Sequence, residues 1–180
     1  MSEYTFKLGE NGTEMIIEID ESCFSKKQKY NRGRFFKHQW VFGMVDRVTG
    51  AMKMFEVPDR KRDTLIAIIK QNVDAGTTIY SDSFRPYWIL MDEGYNHRMV
   101  NHEHFYVDPI TGVHTNTIEG LWGVVKSKIK TLRGVYRHTL QWHLDEFVFR
   151  RSFIKNHNQA FELIAKAVGK YYDPSMKPKN

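Results

Sequence analysis

Two β-branched runs far apart in the chain each close on an aspartate: Met15-Ile16-Ile17-Glu18-Ile19-Asp20 and Thr77-Thr78-Ile79-Tyr80-Ser81-Asp82. Aspartate is depleted in strands, so propensity gives no reason for either ending. Each could simply close a strand and open a turn. Between them, Trp40 to Asp46 and Ala51 to Val57, joined by Arg47-Val48-Thr49-Gly50, read as two further strands of an antiparallel meander. A helix from Leu65 to Val73, capped by Asp63 or Thr64 and stopped by Gly76, leads into the second aspartate strand. A right-handed crossover of this kind lays strand four parallel to strand one. Both carboxylates then emerge at the carboxyl end of the sheet, where ligands gather in α/β folds.

The remaining chain fits that plan. A short helix from Phe84 to Met91, interrupted by Pro86, precedes a fifth strand from Asn96 to His102. Helical patterns follow at His114 to Lys130, Leu140 to Phe153 and Gln159 to Val168. The expected architecture is an α/β domain over 13–172, with terminal extensions at 1–12 and 173–180. At 180 residues and 41% hydrophobic, the chain suits one domain with a sizeable core. No apolar run reaches the length of a membrane span and no signal-peptide pattern opens the chain, so no membrane partner is expected. Cys23 is the single cysteine, which excludes internal disulfides and cysteine-based zinc sites and suits a reducing compartment. The formal charge of +6 favours a polyanionic partner.

The helix at 114–130 has two unlike faces. Ile118, Leu121, Trp122, Val125, Ile129 and Leu132 form an apolar stripe that must pack on something. Off that stripe, Glu119 and Lys126 lie about two turns apart on one side, with Asn116 one turn before Glu119. Asn116 and Glu119 also fit a capping box, the Asn accepting from the helix and the Glu reaching back. Gly120 and Gly123 each weaken a helix interior by about 1 kcal/mol, which suggests that something approaches the backbone there. If this helix crosses the sheet edge, Glu119 joins Asp20 and Asp82. Three carboxylates in one place repel, and a pair of divalent cations is the natural remedy.

A basic segment lies between the first two strands. Lys26, Lys27, Lys29, Arg32, Arg34 and Lys37 carry no acidic neighbour and alternate with Tyr30, Phe35 and Phe36. Mixed basic and aromatic residues suit phosphate contact with stacking, or else form a solvated hairpin tip. His102, His104 and His114 lack the spacing of a metal site and read better as hydrogen-bonding residues framing a cleft.

Several blocks in order carry a family resemblance: Ile19-Asp20-Glu21-Ser22, Tyr30-Asn31-Arg32-Gly33-Arg34, Trp40-Val41-Phe42-Gly43, Ser81-Asp82, Val100-Asn101-His102, and His114 through Trp122. Over about 13–153 the chain resembles the catalytic domain of ISXO-type insertion-sequence transposases and the related Merlin DNA transposons. The resemblance implies a ribonuclease-H-like mixed five-stranded sheet flanked by helices. It implies an Asp-Asp-Glu site of Asp20, Asp82 and Glu119 holding two Mg²⁺ or Mn²⁺ ions, with Lys126 as an accompanying basic residue. Some relatives place Asn in the third position, so Asn116 stays a second candidate as ligand or orienter. Implied partners are DNA, as transposon ends and target, and further copies of the chain in a homo-oligomer. Implied chemistry is strand cleavage and strand transfer, in the nucleoid or cytoplasm of a bacterium or the nucleus of a eukaryote. Relatives usually carry an N-terminal zinc ribbon that a single cysteine cannot build, so the resemblance covers the catalytic domain. A transposase-derived DNA-binding protein without transposition activity, and a nuclease without strand transfer, are the alternatives.

Overall fold

A computed structural model of the protein describes residue 8 and residues 15–25, 38–101, 106–154, 161–162 and 165–166. Its strands are β1 (Ile16–Cys23), β2 (Trp40–Asp46), β3 (Met52–Val57), β4 (Thr78–Asp82) and β5 (Asn96–Val100). They form one mixed sheet in the order β3-β2-β1-β4-β5. Strand β1 is central, antiparallel to β2 and parallel to β4, as the crossover argument required. The helices are α1 (Arg62–Asn72), α2 (Asn116–Thr131) and α3 (Leu140–Phe153).

A central strand is covered on both faces, and alternation decides which side chain meets which layer. Ile17 and Ile19 point with Phe42, Met44 and Ile79 toward Leu65, Ile66 and Ile69 of α1 and toward Tyr87 and Leu90. On the opposite face, Val41, Val45, Met52 and Met54 lie beneath α2 and α3, which supply Ile118, Leu121, Trp122, Val125, Leu140, Leu144 and Phe147. The predicted stripe of α2 is therefore the buried one as far as Val125. Ile129 packs partly, and Leu132, 48% exposed, runs past the core.

Several boundaries differ from expectation for local reasons. Strand β1 continues beyond Asp20 to Cys23 because its ladder with β2 persists to the Cys23–Trp40 pair. Helix α1 starts at Arg62 behind Lys61, so neither Asp63 nor Thr64 is its cap. The Thr64 hydroxyl instead donates to Asp59 Oδ1 at 2.7 Å, and Lys61 N–H to the same oxygen at 3.0 Å. The segment predicted as a short helix around Pro86 is a 3₁₀ turn, Arg85–Leu90, with the proline in its first positions, where no N–H is needed. Strand β5 stops at Val100. The basic segment with Lys26, Lys27, Lys29, Arg32, Arg34 and Lys37 lies outside the described residues, as do His102 and His104. Of the predicted helix 159–168, residues 161–162 and 165–166 are described, and they are helical. Among the described residues no helix is long and apolar enough to cross a membrane.

Candidate active site

The sheet brings Asp20 and Asp82 to corresponding positions. The offset that pairs Ile16 with Thr78, Ile17 with Ile79 and Glu18 with Tyr80 also relates Asp20 to Asp82. The β1–β4 ladder stops at Glu18–Tyr80, two residues short of both acids, so the strands part where the carboxylates begin. This gap is also the topological switch point, since the chain leaves β1 toward β2 and β3 and returns on the other side as β4. Asp82 Oδ1 accepts from Phe84 N–H at 3.0 Å.

Asp20 shares the α2 face of the sheet with Glu18, and both are tied to that helix. Asp20 Oδ2 accepts from Trp122 Nε1 at 2.8 Å, and its Oδ1 accepts from Glu21 N–H at 2.8 Å. The indole reaches this position because Gly43, opposite Asp20 on β2, leaves room for it. A Cβ on Gly43 would stand 2.6 Å from Trp122 Cη2 and 3.0 Å from Ile118 Cδ1. Gly43→Ala is therefore expected to push the ring off Asp20 and cost about 1–3 kcal/mol, the usual penalty for overpacking. Urea unfolding and tryptophan fluorescence measure this; an unshifted midpoint would show that α2 sits loosely on β2.

Glu18 fixes the start of the same helix. It is fully buried, its Oε2 accepts from Ile118 N–H at 2.9 Å, and its Oε1 accepts from the Thr117 hydroxyl at 2.8 Å. Arg47 Nε stands 3.1 Å from Oε1, and His114 Nδ1 3.6 Å from it. Arg47 also contacts His114 Nε2, so His114 belongs to this cluster. A carboxylate from β1 thus satisfies a first-turn N–H of α2, where negative charge is favoured. In the sequence Glu18 is one residue of the first aspartate run with no role of its own, and Trp122 is an apolar stripe residue. The available signal was position: an acid on a doubly covered strand has no solvent to face.

The electrostatics follow from this burial. Desolvation pushes the Asp20 carboxyl from 3.8 up to about 6, against its two hydrogen bonds, and the charges of Asp82 and Glu119 push the same way. Asp20 is therefore within electrostatic reach of both other acids. Glu21 is pushed up to about 8 by burial first, then by Asp20 and Asp82, with Arg60 opposing. Its Oε1 is buried without a hydrogen-bond partner among the described residues.

Helix α2 places the remaining candidates. Thr115, not Asn116, is the N-cap residue, and Asn116 is the exposed first residue of the helix. Glu119 is exposed and its Oε1 accepts from the Thr115 hydroxyl at 2.7 Å, so it turns back toward the cap while staying within reach of Asp20. Lys126 Nζ lies 5.4 Å from the centre of the Phe24 ring, which meets Trp122 edge-on. Nothing stands within 4 Å of a Cβ built on Gly120 or Gly123, so the expected close approach is absent among the described residues and α2 is open there. Carboxylate oxygens suit hard divalent cations such as Mg²⁺. Among the described residues, though, no three His, Cys, Asp or Glu side chains gather closely enough to hold one. The acids share an electrostatic neighbourhood, not a coordination sphere.

Known proteins are similar to this chain in sequence and in fold. The chain is 25% identical over 112 residues to an uncharacterized transposase-like protein of Haemophilus influenzae, covering 61% of this chain and 89% of that one. Its fold is similar to the HTLV-2 integrase catalytic core domain, solved in complex with magnesium, at a TM-score of 0.51 and 11% identity, covering 79% of this chain and 88% of that one. The BIV integrase catalytic core matches at 0.50 and 8% identity, over 88% and 98% of the two chains. A simian T-cell lymphotropic virus intasome matches at 0.54 and 12% identity over 80% of this chain, which spans about half (51%) of the intasome chain. These integrase cores share the ribonuclease-H-like fold, and so does this protein. The ISXO2-like transposase domain family matches residues 12–152, and the chain belongs to that family.

Proposed function

We propose that this domain is the catalytic part of a DNA transposase and cuts and joins DNA strands with a divalent-metal site built on Asp20, Asp82 and Glu119. The observation that carries the reading is the raised Asp20 carboxyl, buried at the switch point and pressed by the charges of Asp82 and Glu119. When bound, Mg²⁺ or Mn²⁺ supplies Lewis-acid activation of water or a 3′-hydroxyl and stabilisation of the leaving oxygen. The chain's own residues prepare that place. Trp122 and the Glu21 amide fix the Asp20 carboxylate, and the Phe84 amide fixes Asp82. Glu119 comes from the exposed side of α2 and must leave Thr115 to join them, with Asn116 one turn earlier as a substitute donor. Lys126 and the basic residues Lys26, Lys27, Lys29, Arg32, Arg34 and Lys37 contact DNA phosphates. As in the dimeric HTLV-2 core, further copies of the chain assemble when it acts on two DNA ends.

The second reading is a DNA-binding protein that keeps the fold without the chemistry. Proton linkage separates the two. Asp20 and Glu21 hold protons more tightly folded than unfolded, so their contribution is complete below about pH 4 and lost as pH rises through about 6 and about 8. Stability is expected to fall across that range, by roughly 3 kcal/mol for Asp20. A cation competing with those protons restores it. Thermal melts are expected to show Mg²⁺ raising Tm more at about pH 8 than at about pH 5, and Asp20→Asn removing that rise. A Tm indifferent to Mg²⁺ at the higher pH supports the second reading.

A further inference from the structure

Arg60 lies in the loop between β3 and α1, at the edge of the sheet that carries the acids. Strand β1 ends there, β2 begins there and β3 ends there. Its guanidinium stands 3.8 Å from the centre of the Trp40 ring and 5.1 Å from that of Phe84. Trp40 opens β2, and Phe84 is the residue whose amide holds Asp82. The ionic neighbour is Glu21 Oε2, 3.9 Å from Nη1 and beyond hydrogen-bond reach. Among the described residues the guanidinium donates no hydrogen bond, and the side chain is 39% exposed.

Two aromatic neighbours already restrict the plane of the guanidinium, so much of its rotamer freedom is gone before any ligand arrives. The N–H donors at its rim match the spacing of phosphate oxygens and meet no hydrogen-bond acceptor among the described residues. The surroundings favour an anion. Lys61, Arg62 and Arg85, with Asp63 and Pro86, line an open hollow of about 330 Å³ beside it. Asp59, 3.5 Å from Lys61, and Asp63 offset part of this charge, and the hollow stays net positive through Lys61, Arg62 and Arg85.

The geometry points to Arg60 as a phosphate-binding residue that grips the DNA backbone next to the acids, held in place by Trp40 and Phe84. The inference rests on the transposase reading, since the phosphate it binds belongs to the strand being cut. The bland account is that Arg60 is a strut, closing the sheet edge by packing on two rings. Charge distinguishes these accounts. Arg60→Gln keeps a planar group on the rings and loses the charge, whereas Arg60→Lys keeps the charge and loses the plane.

The test measures the affinity of the full chain for a labelled short duplex between about 50 and 200 mM salt. Arg60→Gln is expected to bind roughly tenfold more weakly at the lower salt. Its log–log slope should be shallower by about 0.9, the loss of one phosphate contact, and Arg60→Lys should return the slope. A wild-type slope in Arg60→Gln overturns the inference and leaves a strut. A wild-type protein without salt-dependent duplex binding instead overturns the transposase reading, and the inference with it. Should Arg60→Gln not fold, duplex is expected to shield Arg60 of the wild type from phenylglyoxal, read by peptide mass. Equal modification with and without duplex overturns the inference.

Discussion

Glu18→Ala is expected to destabilise the domain by roughly 2–4 kcal/mol, because Glu18 is fully buried and its loss leaves the half-buried Arg47 and two donors of α2 without their acceptor. Arg47 loses its carboxylate, and the Ile118 amide and Thr117 hydroxyl lose their acceptor under α2. Glu18→Gln keeps an acceptor for the Ile118 amide, replaces the charge facing Arg47, and is expected to fall between wild type and Ala. The effect should reach the site, since α2 also carries Trp122, whose N–H holds Asp20. Urea denaturation gives the energies from the midpoints. A loss below about 1 kcal/mol for the Ala variant, the scale of one ordinary hydrogen bond, would show that the apolar stripe alone seats α2.

The fold was legible where pattern and topology reinforced each other. The meander, the crossover and the parallel setting of the two aspartate strands need only strand periodicity and the right-handed rule, and β2 and α3 end where their patterns end. Helix starts were less legible, because caps are set by groups remote in sequence. A reader of Asn116 and Glu119 cannot see that Glu18, a hundred residues earlier, supplies the acceptor for α2. The glycines show the same limit. Gly43 matters because an indole lies on it, whereas Gly120 and Gly123, which looked more demanding, face open space. The charges of Asp82 and Glu119 both raise the Asp20 carboxyl, a proximity that strand ends and a helix face only suggest in the sequence. The turn of Glu119 toward Thr115 was not legible, because it depends on a rotamer.

Loss of strand joining is the largest effect expected. Glu119→Gln keeps the side chain's shape and its acceptor for Thr115 while removing a charge from the proposed metal site, so joining should fall by more than about a thousandfold. Asp20→Asn should behave alike. Duplex affinity should persist in both, since the proposed phosphate contacts are made by basic residues elsewhere. Lys126→Ala is expected to weaken positioning of the DNA end more than metal binding. The most direct measurement supplies a pre-nicked end at high protein concentration with Mn²⁺, which bypasses the search for end sequences, and follows transfer of the 3′ end to a target duplex. The account predicts joined product from wild type and none above background from Glu119→Gln. Equal inactivity of the two proteins, with Mn²⁺ and duplex both bound, would contradict it.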